Sequence, residues 1–317
     1  MPALLRLAAL LGLTALLSAC AGRAPVLPEP STLSHLPERV ILDEVPFHAQ
    51  DAYQCGPASL AMVLNHRDVA ATPDALKDRI YLPERKGTLQ VEMVSAARER
   101  DLLVYPLERK LEAILAEVNA GNPVLVMQNL AFDWYPQWHY AVVIGYDLPA
   151  QEMILHSGLN QAQREPFTVF MRTWQRADRW ARVVLPPGQL PATAQPLSYL
   201  KAASDLEQTG RLDSALRAYQ SATEQWPEQP AARLGLGNTY WAKNERQTAL
   251  EQFQQLVNDF PDFQPGWTNL ATGLDMLGCS KQAQAARQCS EQADKPAACN
   301  TLGTTPPHSC SSATQKQ

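Results

Sequence analysis

The sequence predicts an α+β domain followed by an all-α repeat, and three observations carry that prediction. Pro57 opens an apolar segment from Ala58 to Leu64 that reads as a buried helix, with Cys55 at its start. Far downstream, Tyr140-Ala141-Val142-Val143-Ile144-Gly145-Tyr146 is an apolar β-rich run entered through an aromatic loop. Beyond Pro186-Pro187-Gly188 the chain turns Ala-rich and repeats itself.

The chain has 317 residues, is 45% hydrophobic and 19% charged, and carries a formal charge of −5. Its first nineteen residues hold one charge, Arg6, ahead of a Leu/Ala stretch ending Leu17-Ser18-Ala19-Cys20. A short apolar run with small terminal residues reads as a signal peptide, 1–19, rather than a spanning helix. Leu-Ser-Ala-Cys also resembles the bacterial lipobox, which implies that Cys20 is lipidated and becomes the mature N-terminus. Ala21 is not the Asp associated with inner-membrane retention. The expectation is an outer-membrane lipoprotein facing the periplasm, with membrane contact through the lipid. Residues 20–38, with Pro25, Pro28, Pro30 and Pro37, are expected to form an extended tether. No other apolar run is long enough to span a bilayer, and no basic patch recommends nucleic acid as a partner.

The chemistry is expected in residues 39–185. A thiol at a helix start faces unpaired N–H groups and the positive end of the helix dipole, so Cys55 is expected to favour thiolate and act as nucleophile. His139, at the mouth of the β-rich run, is the candidate base. His48 and His66 read as structural. Phe132, Trp134, Tyr135 and Trp138 either line a cleft or cover the core.

Gln followed by Cys55-Gly56-Pro57-Ala58, then His139-Tyr140-Ala141-Val142-Val143-Ile144-Gly145-Tyr146, resembles the papain-like cysteine peptidases that trim double-glycine leaders from bacteriocin precursors. The resemblance runs from about Val40 to Leu185. It implies an α+β papain-like fold, a Cys55–His139 pair working through a thioester, Gln50 in the oxyanion hole and a peptide or protein substrate. It implies no metal or organic cofactor. The family Gln usually stands six residues before the Cys, whereas Gln50 stands five before, and Gln54 is the alternative. The family's third residue is an Asp near Leu155 to Gly158, where this sequence has none. Asp147 lies about 26 Å along the strand from His139 and is too far to orient the ring. A hairpin turning near Pro149 would instead bring up Ser157 or Asn160. That departure leaves two other functions open: an inactive peptidase-like adaptor, or a Cys-dependent acyl or amide transferase.

A linker, 186–196, precedes the repeats at 197–296. Ala215, Ala249 and Ala283 stand 34 residues apart, as do Pro227 and Pro261. That is the period of tetratricopeptide repeats, about three here, whose solenoid is expected to recruit a protein partner. The linker reads as a flexible joint. Cys279, Cys289, Cys299 and Cys310 remain, the last two in a tail at 297–317. In an oxidising compartment four thiols suggest disulfides with three connectivities, of which Cys289–Cys299 with Cys279–Cys310 is preferred.

Overall fold

The computed structural model describes residues 25–49, 54–85, 87–291 and 299. Cys20, Gln50 and Cys310 therefore lie outside the described residues. Helix α1 (Cys55–Asn65) begins at the cysteine and is buried from Gly56 to Leu64. A helix so apolar on every side has to lie inside a domain. It is followed by α2 (Pro73–Ile80) and α3 (Gln90–Arg98); α1 and α3 pack on the sheet, and α2 packs on those two helices.

The sheet has seven antiparallel strands: β1 (Arg39–Ile41), β2 (Leu103–Pro106), β3 (Val124–Asn129), β4 (Trp138–Asp147), β5 (Glu152–Ser157), β6 (Asn160–Pro166) and β7 (Ala181–Leu185). Their order is β2-β7-β3-β4-β5-β6. Helix α4 (Leu111–Asn119) joins β2 to β3, and α5 (Phe167–Gln175) joins β6 to β7. Long β4 is the spine. Its first half pairs with β3, from Trp138↔Asn129 to Val143↔Val124, and its end pairs with β1. There Gly145 is required by close approach, since a Cβ would stand 2.5 Å from the Val40 carbonyl oxygen. β5 returns along β4 with Val142 opposite His156, which brings Ser157 to the end where β4 begins.

Asp147, at the far end of β4, is buried between Arg39 and Arg164, at 2.6 and 3.2 Å. Desolvation opposes its charge, but the Ala150 N–H and the two guanidiniums outweigh it and hold the carboxyl below its usual range. It is a structural ion pair, away from His139.

Six helices follow in three antiparallel pairs: α6 (Pro196–Gln208) with α7 (Leu212–Gln225), α8 (Pro230–Ala242) with α9 (Arg246–Asp259), and α10 (Gln264–Met276) with α11 (Ser280–Glu291). The 34-residue period has a backbone cause. Gly210, Asn244 and Gly278 all adopt positive φ just past the first helix of each pair. In every case the next N–H reaches back to close the helix: Arg211 to Leu206 O, Glu245 to Tyr240 O and Cys279 to Leu274 O, each at 2.9 Å. Ala215, Ala249 and Ala283 are fully buried. Cys289 and Cys299 form a disulfide with Cα atoms 5.8 Å apart, and Cys279 is disulfide-bonded as well.

Two expectations are corrected. Residues 25–38 are not an extended tether throughout, because Pro30–Leu33 form a 3₁₀ turn whose Leu33 is buried, with Leu27 and Leu36 packed on the same core. Nor is the linker a flexible joint. The buried Glu117 carboxylate accepts from Ala192 N–H (3.1 Å), Thr193 N–H (2.8 Å) and Thr193 Oγ1 (2.7 Å), while Tyr105 Oη donates to Thr193 O and accepts from Gln195 N–H. One core runs unbroken from the sheet through Tyr199 and Ala203 to Leu236.

Candidate active site

Cys55 sits at the first turn of α1, half-buried, with Gln54 as the preceding cap residue. Its sulfur faces the backbone N–H groups of Tyr140, Gly56 and Cys55 itself. Those donors favour thiolate, as a helix start should. Burial outweighs them, and the thiol's pKa is pushed up rather than down. The expectation of a resting thiolate is thereby corrected: desolvation of the charge exceeds the gain from the dipole. Gly56 is the residue that permits the fit, because a Cβ there would lie 2.7 Å from Thr88 Cβ.

His139 is the residue before Tyr140 on β4. His139 Nε2 lies 2.9 Å from Ser157 Oγ. In the tautomer that donates from Nε2, Nδ1 keeps its lone pair and is the available base. Burial pushes the imidazole down to about 4, so it is neutral at neutral pH. Of the two candidate orienting residues the structure brings Ser157 to the ring. Asn160 is exposed and donates to Gln163 Oε1 instead.

Three other histidines are occupied elsewhere. His48 Nε2 meets Asn65 Nδ2 at 2.9 Å, His66 Nε2 meets Gly121 O, and buried His156 bridges Val45 O and the Ala162 N–H. The aromatic loop does not cover the core: Phe132, Trp134, Tyr135 and Trp138 are 52–81% exposed. It is nevertheless built. Asn129 Oδ1 accepts from Ala131 and Gln137 N–H, Arg176 holds Asn129 O, and Phe132 stacks on Trp134 at 5.6 Å. A preformed apolar rim therefore ends at His139. Sequence reasoning missed Tyr140, whose amide reaches the sulfur and whose hydroxyl donates to Thr88 O at 3.2 Å. Its place after His139 was the available signal.

A half-buried cysteine at a helix start and a histidine on a strand of an antiparallel sheet, held by a serine, are the elements of this site. Residues 42–181 match the family described as Peptidase_C39 like family, and residues 200–265 match the tetratricopeptide repeat. The chain thus carries a Peptidase_C39-like domain followed by tetratricopeptide repeats, and that family suggests a cysteine peptidase. Solved structures similar to it include a C39-like peptidase from Bacillus anthracis, at 19% identity and TM-score 0.42, over 47% of this chain and 98% of that one. A double glycine motif protease from an AMS/PCAT transporter, solved with its leader peptide, is 18% identical at TM-score 0.35, over 47% and 98%. The peptidase domain of Streptococcus ComA is 17% identical at TM-score 0.35, over 44% and 96%. No curated protein sequence matches the chain.

Proposed function

We propose that the protein is a lipid-anchored periplasmic cysteine peptidase whose repeats recruit its substrate or a partner. The observation that carries this reading is the Cys55 sulfur held against the Tyr140 amide while Ser157 fixes the adjacent His139. Neutral His139 takes the Cys55 proton as sulfur attacks a peptide carbonyl, and then gives it to the leaving amine. The thioester is hydrolysed by water that His139 activates in turn. The Cys55 N–H is available to the developing oxyanion, and Gln50 is the proposed second donor. A neutral hydroxyl on the ring fixes its tautomer but stabilises imidazolium less than a carboxylate, which suits slow, selective processing.

Exported location rests on the Leu17-Ser18-Ala19-Cys20 pattern and agrees with disulfide-bonded Cys279, Cys289 and Cys299, since such bonds persist in oxidising compartments. No helix among the described residues is long and apolar enough to cross a membrane. The Cys20→Ser chain should be released from membranes.

The raised thiol and the absent carboxylate favour one second reading, an adaptor that binds without cutting. The test is incubation of the purified mature chain with peptides from the cell envelope, scored by new termini in mass spectra. Termini made by the wild type and absent with Cys55→Ala and His139→Ala support the peptidase. The same termini from Cys55→Ala would overturn it, and peptide retention without cleavage by the wild type establishes the adaptor.

A further inference from the structure

We infer that Gln128, tied by its amide to Glu165 and Thr173, is a positioning residue that walls the inner side of the His139 ring and keeps it turned to Ser157. The inference rests on the peptidase reading for what the ring does, and on the following geometry for how the ring is held.

Gln128 on β3 stands directly opposite His139 on β4, so the two side chains leave the sheet on the same face with Cβ atoms about 5 Å apart. Ser157, at the end of β5, meets the ring from the other side of β4. The start of β4 thus carries the imidazole between two polar neighbours, one from each adjacent strand.

Gln128 is 2% exposed, and its amide is held at the far end. Nε2 donates to Thr173 Oγ1 of α5 at 2.7 Å and to Glu165 Oε2 of β6 at 3.1 Å, which uses both its hydrogens. Thr173 spends its own hydroxyl proton on Phe170 O within α5, at 2.9 Å, so toward the amide it can only accept. That polarity fixes which way round the amide lies.

In the sheet, β4 and β5 lie between β3 and β6. A side chain rooted on β3 that meets a carboxylate of β6 therefore crosses β4, on the face that His139 shares with Ala141. Ala141 is small and fully buried, and leaves the crossing open. The amide ends among fully buried Phe170 and Trp174 of the same helix as Thr173, so it stands on the core side of His139, away from the exposed Trp138.

Burying an amide against a carboxylate is costly, and an apolar residue would fill that volume at lower cost. What the polar tie adds is a fixed position. Burial holds the His139 ring near 4, so whatever bars water from its inner side sets its proton affinity. The charged and titratable groups placed about it are Cys55 at the start of α1, Glu165 behind the amide, and Arg176 just past α5. Burial raises the Glu165 carboxyl while the Gln128 N–H opposes the rise, and Arg176 is spent on Asn129 O.

The test follows the His139 ring by NMR of the full chain labelled at histidine, its signal identified by its loss in His139→Ala. Melting curves select the variants that fold. The wild-type ring is expected to stay neutral down to about pH 4 and to exchange its Nε2 proton slowly. Gln128→Ala admits water: the ring should titrate about one pH unit higher and its Nε2 proton should exchange at least about tenfold faster. Gln128→Met fills the space without the tie. Its ring should still titrate near 4 but exchange faster, and kcat on a peptide cut in the envelope digest should fall about tenfold at unchanged KM. Thr173→Val removes one anchor at nearly constant shape, should speed the exchange in the same way, and decides the matter if neither Gln128 variant folds. Unchanged titration and exchange in every variant that folds overturn the proposal, as does a wild-type ring that titrates near its ordinary 6.5. If the wild type cuts no peptide, the peptidase reading fails, and the NMR changes alone uphold the positioning of the ring.

Discussion

Cys55 and His139 show how burial, rather than the helix dipole, sets the chemistry of a single residue. With the thiol pushed up and the imidazole pushed down to about 4, the resting pair is neutral, and the nucleophile forms only as the proton moves. The base works when unprotonated, so turnover should keep its acid limb near pH 4 instead of near 6.5. Alkylation by iodoacetamide, which needs thiolate without help from a bound substrate, should rise only as pH approaches and passes the ordinary thiol range. A plateau of labelling already reached at pH 6 would mean a resting ion pair. Ser157 belongs to the same argument. Ser157→Ala should lower kcat by about ten- to a hundredfold, and Ser157→Asp, by placing a carboxylate on Nε2, should move the acid limb upward. Asn160→Ala should change neither. Cys55 and His139 were legible from residue type and local pattern, and Ser157 and Asn160 from spacing along one hairpin, whereas which of those two meets the ring was shown only by the structure. The sign of the thiol's shift was not, because desolvation depends on what packs around α1 from elsewhere in the chain.

At the scale of elements, the repeat period was readable from Ala and Pro, while its cause, the left-handed Gly210, Asn244 and Gly278, is a backbone state that only the structure displays. The segment 186–195 is the contrasting case. Its prolines suggested a joint, yet Gln189 N–H closes a turn on Pro186 O, Ala194 N–H closes one on Pro191 O, and Glu117 gathers the backbone beyond. Proline density reports stiffness and missing donors, which serve a docked strap as well as a spacer. Glu117 is also held by Asn122 Nδ2 at 2.8 Å, so its loss strands several buried donors at once. Glu117→Ala should cost about 3 kcal/mol, because each unsatisfied buried partner of a charge carries a penalty of that order. Urea unfolding measures it. A change below about 0.5 kcal/mol would mean that the strap is held by its apolar contacts alone.

Across the whole molecule the peptidase-like domain and the first repeat are one packing unit. Tyr199, Leu200 and Ala203 of α6 complete the core beside β2, Arg98 crosses to Asp205, and Tyr105 finds both its partners beyond Pro186. Ending the protein at Leu185 would therefore expose the face of β2 that α6 covers and leave Glu117 without its Ala192 and Thr193 donors. Such a chain should be poorly soluble or melt well below the full one, and its Cys55 should label differently. Helices α9 to α11 are packed around a separate core of Ala249, Phe253, Trp267 and Ala283, closed by Cys289–Cys299. Calorimetry of the protein should then show the sheet melting together with α6 to α8, and reduction of the disulfides should lower only the transition that belongs to α9 to α11. If the Leu185-terminated chain matched the full protein in melting temperature and labelling, the shared core would contribute nothing to the site, and the repeats would be independent of it after all.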